Sequence, residues 1–297
     1  MTERDLIGDL RLTRERFATL VAEIRPELHR YCARMTGSIA DGEDVVQDTL
    51  ARAYYALAEL DEAPPLRAWL FRIAHNRAVD LNRRYDRRNL EIDDAAAVDP
   101  ALDPEDTLAR AEALHAAVSR FVELAPAQRS SVILKDVLGY SLDEIASILG
   151  MTVPAVKAAL HRGRSRLREL RTIEVPTARS ASPEIARYAA LFNARDWDAV
   201  RAMLAEDVRL DLVARVQRTG RAEVEAYFTN YDKVDDWHLV PAWLDGREVL
   251  AVFRHPRHPR HPRPDYFVEL ELVDGAIVRI RDFRYVPYIA DEAAIEV

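Results

Sequence analysis

Apolar residues recur every three or four positions through the first part of the chain. Phe17, Leu20, Val21, Ile24, Leu28, Tyr31 and Cys32 form one such series, the mark of a helix with one buried face. Met35-Thr36-Gly37-Ser38 interrupts it. Asp41 is expected to open a second helix, with Asp44 three residues on at capping-box spacing, running to about Leu57. After Pro64-Pro65 a third series starts near Leu66 and continues through Trp69, Leu70, Ile73 and Leu81 to about Arg88. The periodicity returns over residues 108–171. One or two helices are expected from Leu108 to Leu124, and another from Pro126, a favoured first-turn residue, to about Val137. Ser141 with Glu144 forms a Ser-x-x-Glu box before a short helix that Gly150 ends. Thr152 caps the last helix, from Val153 to about Arg171.

From Ser182 the pattern changes. Ser182-Pro183 is expected to cap a helix through Phe192, and Asp196 a second through Leu204. Strand-like runs follow at Val208–Val213, Trp237–Leu244, Val249–Arg254, Tyr266–Val273 and Ala276–Tyr285, with a helix from Arg221 to Tyr231 between the first two. Asp274-Gly275 between alternating runs is a hairpin signal. These runs predict an α+β domain with a curved antiparallel sheet.

Length and charge sharpen this outline. A chain of 297 residues exceeds what one core usually supports, so two or three domains are expected. No apolar run approaches the roughly 20 residues of a membrane span, and Met1–Leu12 lacks the apolar segment of a signal peptide. The expectation is a cytoplasmic protein with no membrane partner. The single cysteine, Cys32, excludes an internal disulfide and reads as a small buried hydrophobe.

The net charge is −8, yet distribution matters more than the sum. Nearly all cations are arginines; the only lysines are Lys135, Lys157 and Lys233. Residues 89–107 hold Glu91, Asp93, Asp94, Asp99, Asp103, Glu105 and Asp106 with no Lys or Arg, which reads as an acidic linker. Two helices carry the opposite sign. Residues 141–171 form a helix-turn-helix pattern, whose second helix bears Lys157, His161, Arg162, Arg164, Arg166, Arg168 and Arg171 against Glu169, with Val153, Val156, Leu160 and Leu167 facing inward. Such a helix fits a major groove. The helix ending near Arg88 carries Arg72, Arg77, Arg83, Arg84, Arg87 and Arg88, a set suited to single-stranded nucleic acid. Trp69 and Phe71 within it read as core.

Three motifs carry a family resemblance: Asp41-Gly42-Glu43-Asp44-Val45-Val46-Gln47-Asp48-Thr49, Arg67-Ala68-Trp69-Leu70-Phe71-Arg72-Ile73-Ala74-His75-Asn76-Arg77, and Leu124-Ala125-Pro126-Ala127-Gln128-Arg129 with Tyr140-Ser141-Leu142-Asp143-Glu144-Ile145-Ala146. In this order the chain resembles bacterial RNA polymerase sigma factors of the extracytoplasmic-function (ECF) type. The resemblance implies sigma region two over 13–88, an acidic linker over 89–107, and region four over 108–171, both regions all-α. It implies core RNA polymerase and promoter DNA as partners. Asp44, Gln47 and Asp48 match polymerase-binding positions. Arg72, Asn76, Arg77, Arg83 and Arg84 match minus-ten positions, and Glu59–Leu66 the loop that captures a flipped base. Thr152, Lys157, His161, Arg162 and Arg164 match minus-thirty-five positions. Ala158 and Ala159 stand where some relatives carry polar readers.

Residues 182–290 resemble the SnoaL-like cone, an α+β fold. Ala194-Arg195-Asp196-Trp197-Asp198, Leu204-Ala205-Glu206-Asp207-Val208 and Asp274-Gly275-Ala276-Ile277-Val278-Arg279-Ile280 carry that likeness. It implies a domain that tunes activity by docking on the sigma core. The alternative is a fusion whose cone binds a small ligand or is an enzyme, with Trp197, Phe228, Trp243 and Phe283 lining a pocket and Asp211, His238 and Asp282 as inward polar candidates. No catalytic residue, cofactor or metal is expected. The HPR repeat from His255 to Pro264 reads as a stiff, extended hairpin loop, with docking on the acidic linker as a further expectation.

Overall fold

The computed structural model describes residues 3–57, 65–85, 113, 117–170, 180–234, 236–254, 263–293 and 295–296. The chain divides into two compact units, residues 1–174 and 175–297. The acidic linker, the loop Glu59–Leu66 but for its last two residues, and most of the HPR repeat lie outside the described residues.

Unit one is helical: α1 (Glu3–Thr36), α2 (Ile39–Leu57), α3 (Leu66–Tyr85), a 3₁₀ turn (Val118–Glu123), α4 (Pro126–Val132), α5 (Leu142–Leu149) and α6 (Val153–Leu170). The break between α1 and α2 falls where the sequence put it, but α1 begins well before residue 13. The cap of α2 is Ser38, whose Oγ accepts the Asp41 N–H at 3.2 Å; Asp41 lies in the first turn rather than at the cap. Gly42 lets α2 approach α1 closely, because a Cβ there would sit 2.5 Å from the Ala33 backbone. α4 runs into a π-turn (Ile133–Val137), closed by Leu138 N–H to the Ile133 carbonyl at 3.0 Å. The extra residue of such a turn was invisible in the apolar period.

One core joins all of unit one. Ile24, Leu28, Tyr31, Val46, Leu70, Phe71, Phe121, Ile133, Leu134, Ile145 and Val156 belong to it. Phe71 is fully buried, a contribution of about 1.5–3 kcal/mol for such a side chain. Trp69 packs partly against the same core.

Unit two holds α7 (Pro183–Asn193), α8 (Trp197–Ala202), β1 (Leu204–Leu212), β2 (Val216–Thr219), α9 (Arg221–Asp232), β3 (Trp237–Leu244), β4 (Arg247–Arg254), β5 (Tyr266–Val273), β6 (Ala276–Asp282) and α10 (Tyr288–Glu292). Its sheet runs β2-β1-β6-β5-β4-β3. The expectation of an antiparallel sheet is corrected: β1 and β6 pair in parallel, Leu210 opposite Ile280. Leu204 belongs to β1 and not to the helix before it. Asp196 caps α8 as expected, accepting from the Ala199 N–H at 3.1 Å. Ser182 makes no side-chain cap; its backbone N–H donates to Glu248. The Asp274-Gly275 turn has both residues at positive φ, 51° and 78°, and Asp245-Gly246 repeats it at 51° and 80°, the backbone that joins twisted strands tightly.

α7 and α9 cover one sheet face. Ile185, Tyr188, Phe192, Tyr227, Phe228 and Tyr231 meet Leu210, Leu239, Leu250, Val252, Tyr266 and Ile280 there. Residues between these in sequence point the other way.

Candidate functional site

α2 turns Val45, Val46, Thr49 and Leu50 inward, which leaves Asp44 exposed. Gln47 Nε2 donates to Glu43 Oε1 at 3.4 Å, and Glu43, fully buried, is ion-paired to Arg25 of α1. Asp48 accepts Arg52 Nε at 3.2 Å and pairs with Arg77 of α3. Two positions that the sequence assigned to different partners, Asp48 and Arg77, therefore meet.

α3 spends its polar groups on other parts of unit one. Arg67 pairs with Glu27 and reaches the Tyr140 hydroxyl at 3.4 Å. Arg72 donates to the Ser147 carbonyl of α5 at 2.8 Å. His75 Nδ1 lies 2.9 Å from the Tyr31 hydroxyl and 3.1 Å from Ser130 Oγ; burial lowers its pKa below the usual histidine value. Asn82 donates to the Met35 carbonyl at 2.7 Å. Asn76 and Arg83 are exposed, and the Arg84 side chain lies outside the described residues.

The helix-turn-helix stands on its caps. Ser141 Oγ accepts the Glu144 N–H while Glu144 takes the Ser141 N–H, Gly150 closes α5 in the left-handed region, and Thr152 Oγ1 accepts the Ala155 N–H at 3.3 Å. Val156, Ala159, Leu160, Gly163 and Leu167 are buried. A Cβ on Gly163 would strike Val132 at 2.7 Å, so α6 can seat on α4 only with glycine there. Thr152 and His161 are exposed, and Lys157 and Arg162 partly so. Arg164 differs. Its guanidinium forks onto Asp136 of the π-turn, Nε to Oδ2 at 2.9 Å and Nη2 to Oδ1 at 2.6 Å, with its side chain 14% exposed. Its assignment to DNA is corrected to an internal ion pair, because its Nε–Nη2 edge is already held by Asp136.

Arg129 was not singled out by the sequence reading. It is buried and donates to the Met35, Val122 and Leu124 carbonyls at 2.5–2.9 Å. It ties the end of α1 to the 3₁₀ turn and α4. Nothing local in Leu-Ala-Pro-Ala-Gln-Arg marks that role, since its acceptors lie as far as 94 residues away.

In unit two only part of the expected cone lining is brought together. Trp197 and Phe228 lie 6.0 Å apart between centroids, and Trp197 Nε1 donates to Asp232 at 2.9 Å. Phe283 is corrected: it stacks on Phe267 at 4.3 Å, and Phe267 alternates with the core residues Tyr266 and Val268. Trp243 is also corrected. It lies outside the helix-covered cluster, bridged through its backbone to Glu296. Asp211 faces away, 3.6 Å from Arg279, and His238 is exposed.

Asp282 alone of the three polar candidates points inward. Its Oδ2 accepts the Tyr227 and Tyr231 hydroxyls at 2.9 and 2.8 Å, and Oδ1 accepts the Arg284 N–H at 2.9 Å. Tyr266 shares a hydrogen bond with Tyr231 at 3.1 Å. Burial raises the Asp282 pKa, while its three donors oppose the shift; burial and the facing carboxylate push all three tyrosines up. The signal that the sequence held was Tyr227 and Tyr231 at i, i+4, one helix face. Among the described residues no group of acids, histidines or cysteines forms a metal site.

Comparison with known proteins gives these units names. Residues 20–88 match Sigma-70 region 2, residues 115–167 match Sigma-70 region 4, and residues 185–280 match a SnoaL-like domain. The chain is similar to the ECF RNA polymerase sigma factor SigG of Mycobacterium tuberculosis, 33% identical over 212 residues. That match covers 61% of this chain and 57% of SigG, little more than half its length. SigL of the same organism is 34% identical over 148 residues, 48% of this chain and 80% of SigL. CnrH of Cupriavidus metallidurans is 36% identical over 140 residues, 44% of this chain and 73% of CnrH. Among solved structures, the M. tuberculosis ECF sigma factor SigJ is 22% identical, with a TM-score of 0.35, over 89% of this chain and 95% of SigJ. With more than two thirds of both SigL and CnrH matched at 34% and 36% identity, the chain belongs to the ECF family of RNA polymerase sigma factors.

Proposed function

We propose that this chain binds core RNA polymerase and directs it to promoters, where it reads upstream duplex with α6 and the melted strand with α3. The carrying observation is α6: capped at both the turn and the helix start, seated on α4 through its apolar stripe, with Thr152, Lys157, His161 and Arg162 left at least partly exposed. A helix fixed in that way presents basic groups to a groove without disturbing its own core. Asp44, Gln47 and Asp48 are the polymerase-facing residues in this reading. Among the described residues, Arg72, Asn76 and Arg83 are the exposed minus-ten residues. Arg77 joins them by leaving Asp48. The free chain is then a weak DNA binder, and its affinity falls steeply with salt.

The C-terminal unit modulates this activity by docking on the sigma core. Its separate core supports the reading, since it folds around its own cluster and leaves the sigma core complete without it. The chain acts in the cytoplasm as a transcription factor and carries out no catalysis of its own.

Transcription reconstituted from core polymerase and genomic promoter fragments tests both points. Specific transcripts that require the chain support the first. A change in their yield when the chain ends after Arg171 supports the second; identical yields reject modulation.

A further inference from the structure

The far end of the helix-covered face of unit two gathers two cationic side chains. Arg254 ends β4 and Arg284 follows β6. Both guanidinium groups lie over one indole, with Cζ 4.3 Å from the Trp237 centroid for Arg254 and 4.8 Å for Arg284. Arg284 is also 5.9 Å from the Tyr231 ring, and Arg254 6.0 Å from that of Tyr266. Among the described residues neither guanidinium has a hydrogen bond or ion pair, and Arg254 Nε is buried without an acceptor.

Asp282 and Asp265 accept other donors, and Asp282 reaches the Arg284 guanidinium through charge rather than a hydrogen bond. Asp282 gives one oxygen to two tyrosines and the other to the Arg284 backbone. Asp265 accepts the Arg254 backbone N–H at 2.8 Å. Two like charges held at one ring repel each other, and a buried N–H without an acceptor is costly. An anion relieves both, and planar guanidinium forks match a carboxylate. Trp237, partly open to solvent, offers a flat apolar surface beside it, and the buried Tyr231 and Tyr266 brace that ring at 69° and 72°.

We propose that Arg254, Arg284 and Trp237 form a binding site for a small organic carboxylate with a flat apolar body. The carboxylate bridges the two arginines and the ring lies along Trp237. The Asp282 carboxylate, already supplied with donors, repels the anionic end and keeps it at the rim. The site is independent of promoter recognition, so its test needs no polymerase.

The full-length chain is titrated calorimetrically with naphthoate, with uncharged naphthamide of the same shape, and with inorganic phosphate. Naphthoate is expected to bind about tenfold or more tighter than either comparison ligand, and R254Q and R284Q each to weaken it about tenfold with an unchanged melting temperature. Lysine at either position keeps the charge but not the fork, and serves where glutamine disturbs folding; it should also weaken naphthoate. Equal binding of naphthoate and naphthamide, phosphate binding as tight as naphthoate, no binding at millimolar concentration, or folded variants of unchanged affinity would each overturn the proposal.

Discussion

On α3, Arg67, Arg72 and Arg77 all reach other parts of the protein. On α6, Lys157 and His161 make no hydrogen bond or ion pair among the described residues. Both helices read from sequence as basic and DNA-facing. The difference lies in what packs beside them. α3 is flanked by α1, α2 and α5, whose carboxylates and carbonyls take its donors, while α6 meets α4 and α5 along one apolar stripe. Basic sequence therefore marks potential contacts, and packing decides which are already used.

That contrast can be broken by substitution, beginning with the cation on α6 that behaves like those on α3. Asp136→Ala removes the carboxylate that the mostly buried Arg164 forks onto and should cost about 3 kcal/mol of stability by urea unfolding, in the range for a broken buried pair. Arg129→Met deprives three carbonyls of a donor and should cost about 2 kcal/mol. It should also expand the helical unit, visible by small-angle scattering, because that side chain holds α1 to α4. By contrast, Lys157→Ala with His161→Ala should alter stability by less than about 0.5 kcal/mol. The same pair should weaken promoter-duplex binding by the polymerase complex by about 1–3 kcal/mol and flatten its salt dependence.

The smallest effect is a pH dependence. His75 titrates lower in the folded chain than unfolded because burial opposes its charge, so the unfolded state binds the proton first. Stability is then full above the unfolded histidine pKa of about 6.5 and declines as pH falls below it. Trp69 fluorescence followed across that window should show earlier unfolding in acid, and His75→Gln should reduce the acid slope.

Local signals were mostly legible where one short segment contained both partners, with Asp41–Asp44 and Ser182 as exceptions. Ser141 with Glu144, Gly150, Thr152 and Asp196 all cap as their spacing indicates. Asp245-Gly246 carried the same signal as Asp274-Gly275 and joined two expected strands. The parallel pairing of β1 with β6 was not legible, since it joins strands some seventy residues apart and no turn announces it. The same distance problem hid Arg164–Asp136 and the Arg129 clip. In the cone, alternation assigned residues to faces but not which face was covered. Asp282 and Phe283 are adjacent and point opposite ways, so expecting both to face inward placed Phe283 on the wrong side of the sheet.

The direct test of the account is run-off transcription with purified core polymerase, after capture of that polymerase by the tagged chain. The account predicts a stoichiometric complex, weakened by charge reversal at Asp44, and promoter-specific transcripts that fall when Lys157 and His161 are replaced. A core polymerase that neither binds the chain nor starts transcripts with it would contradict the account.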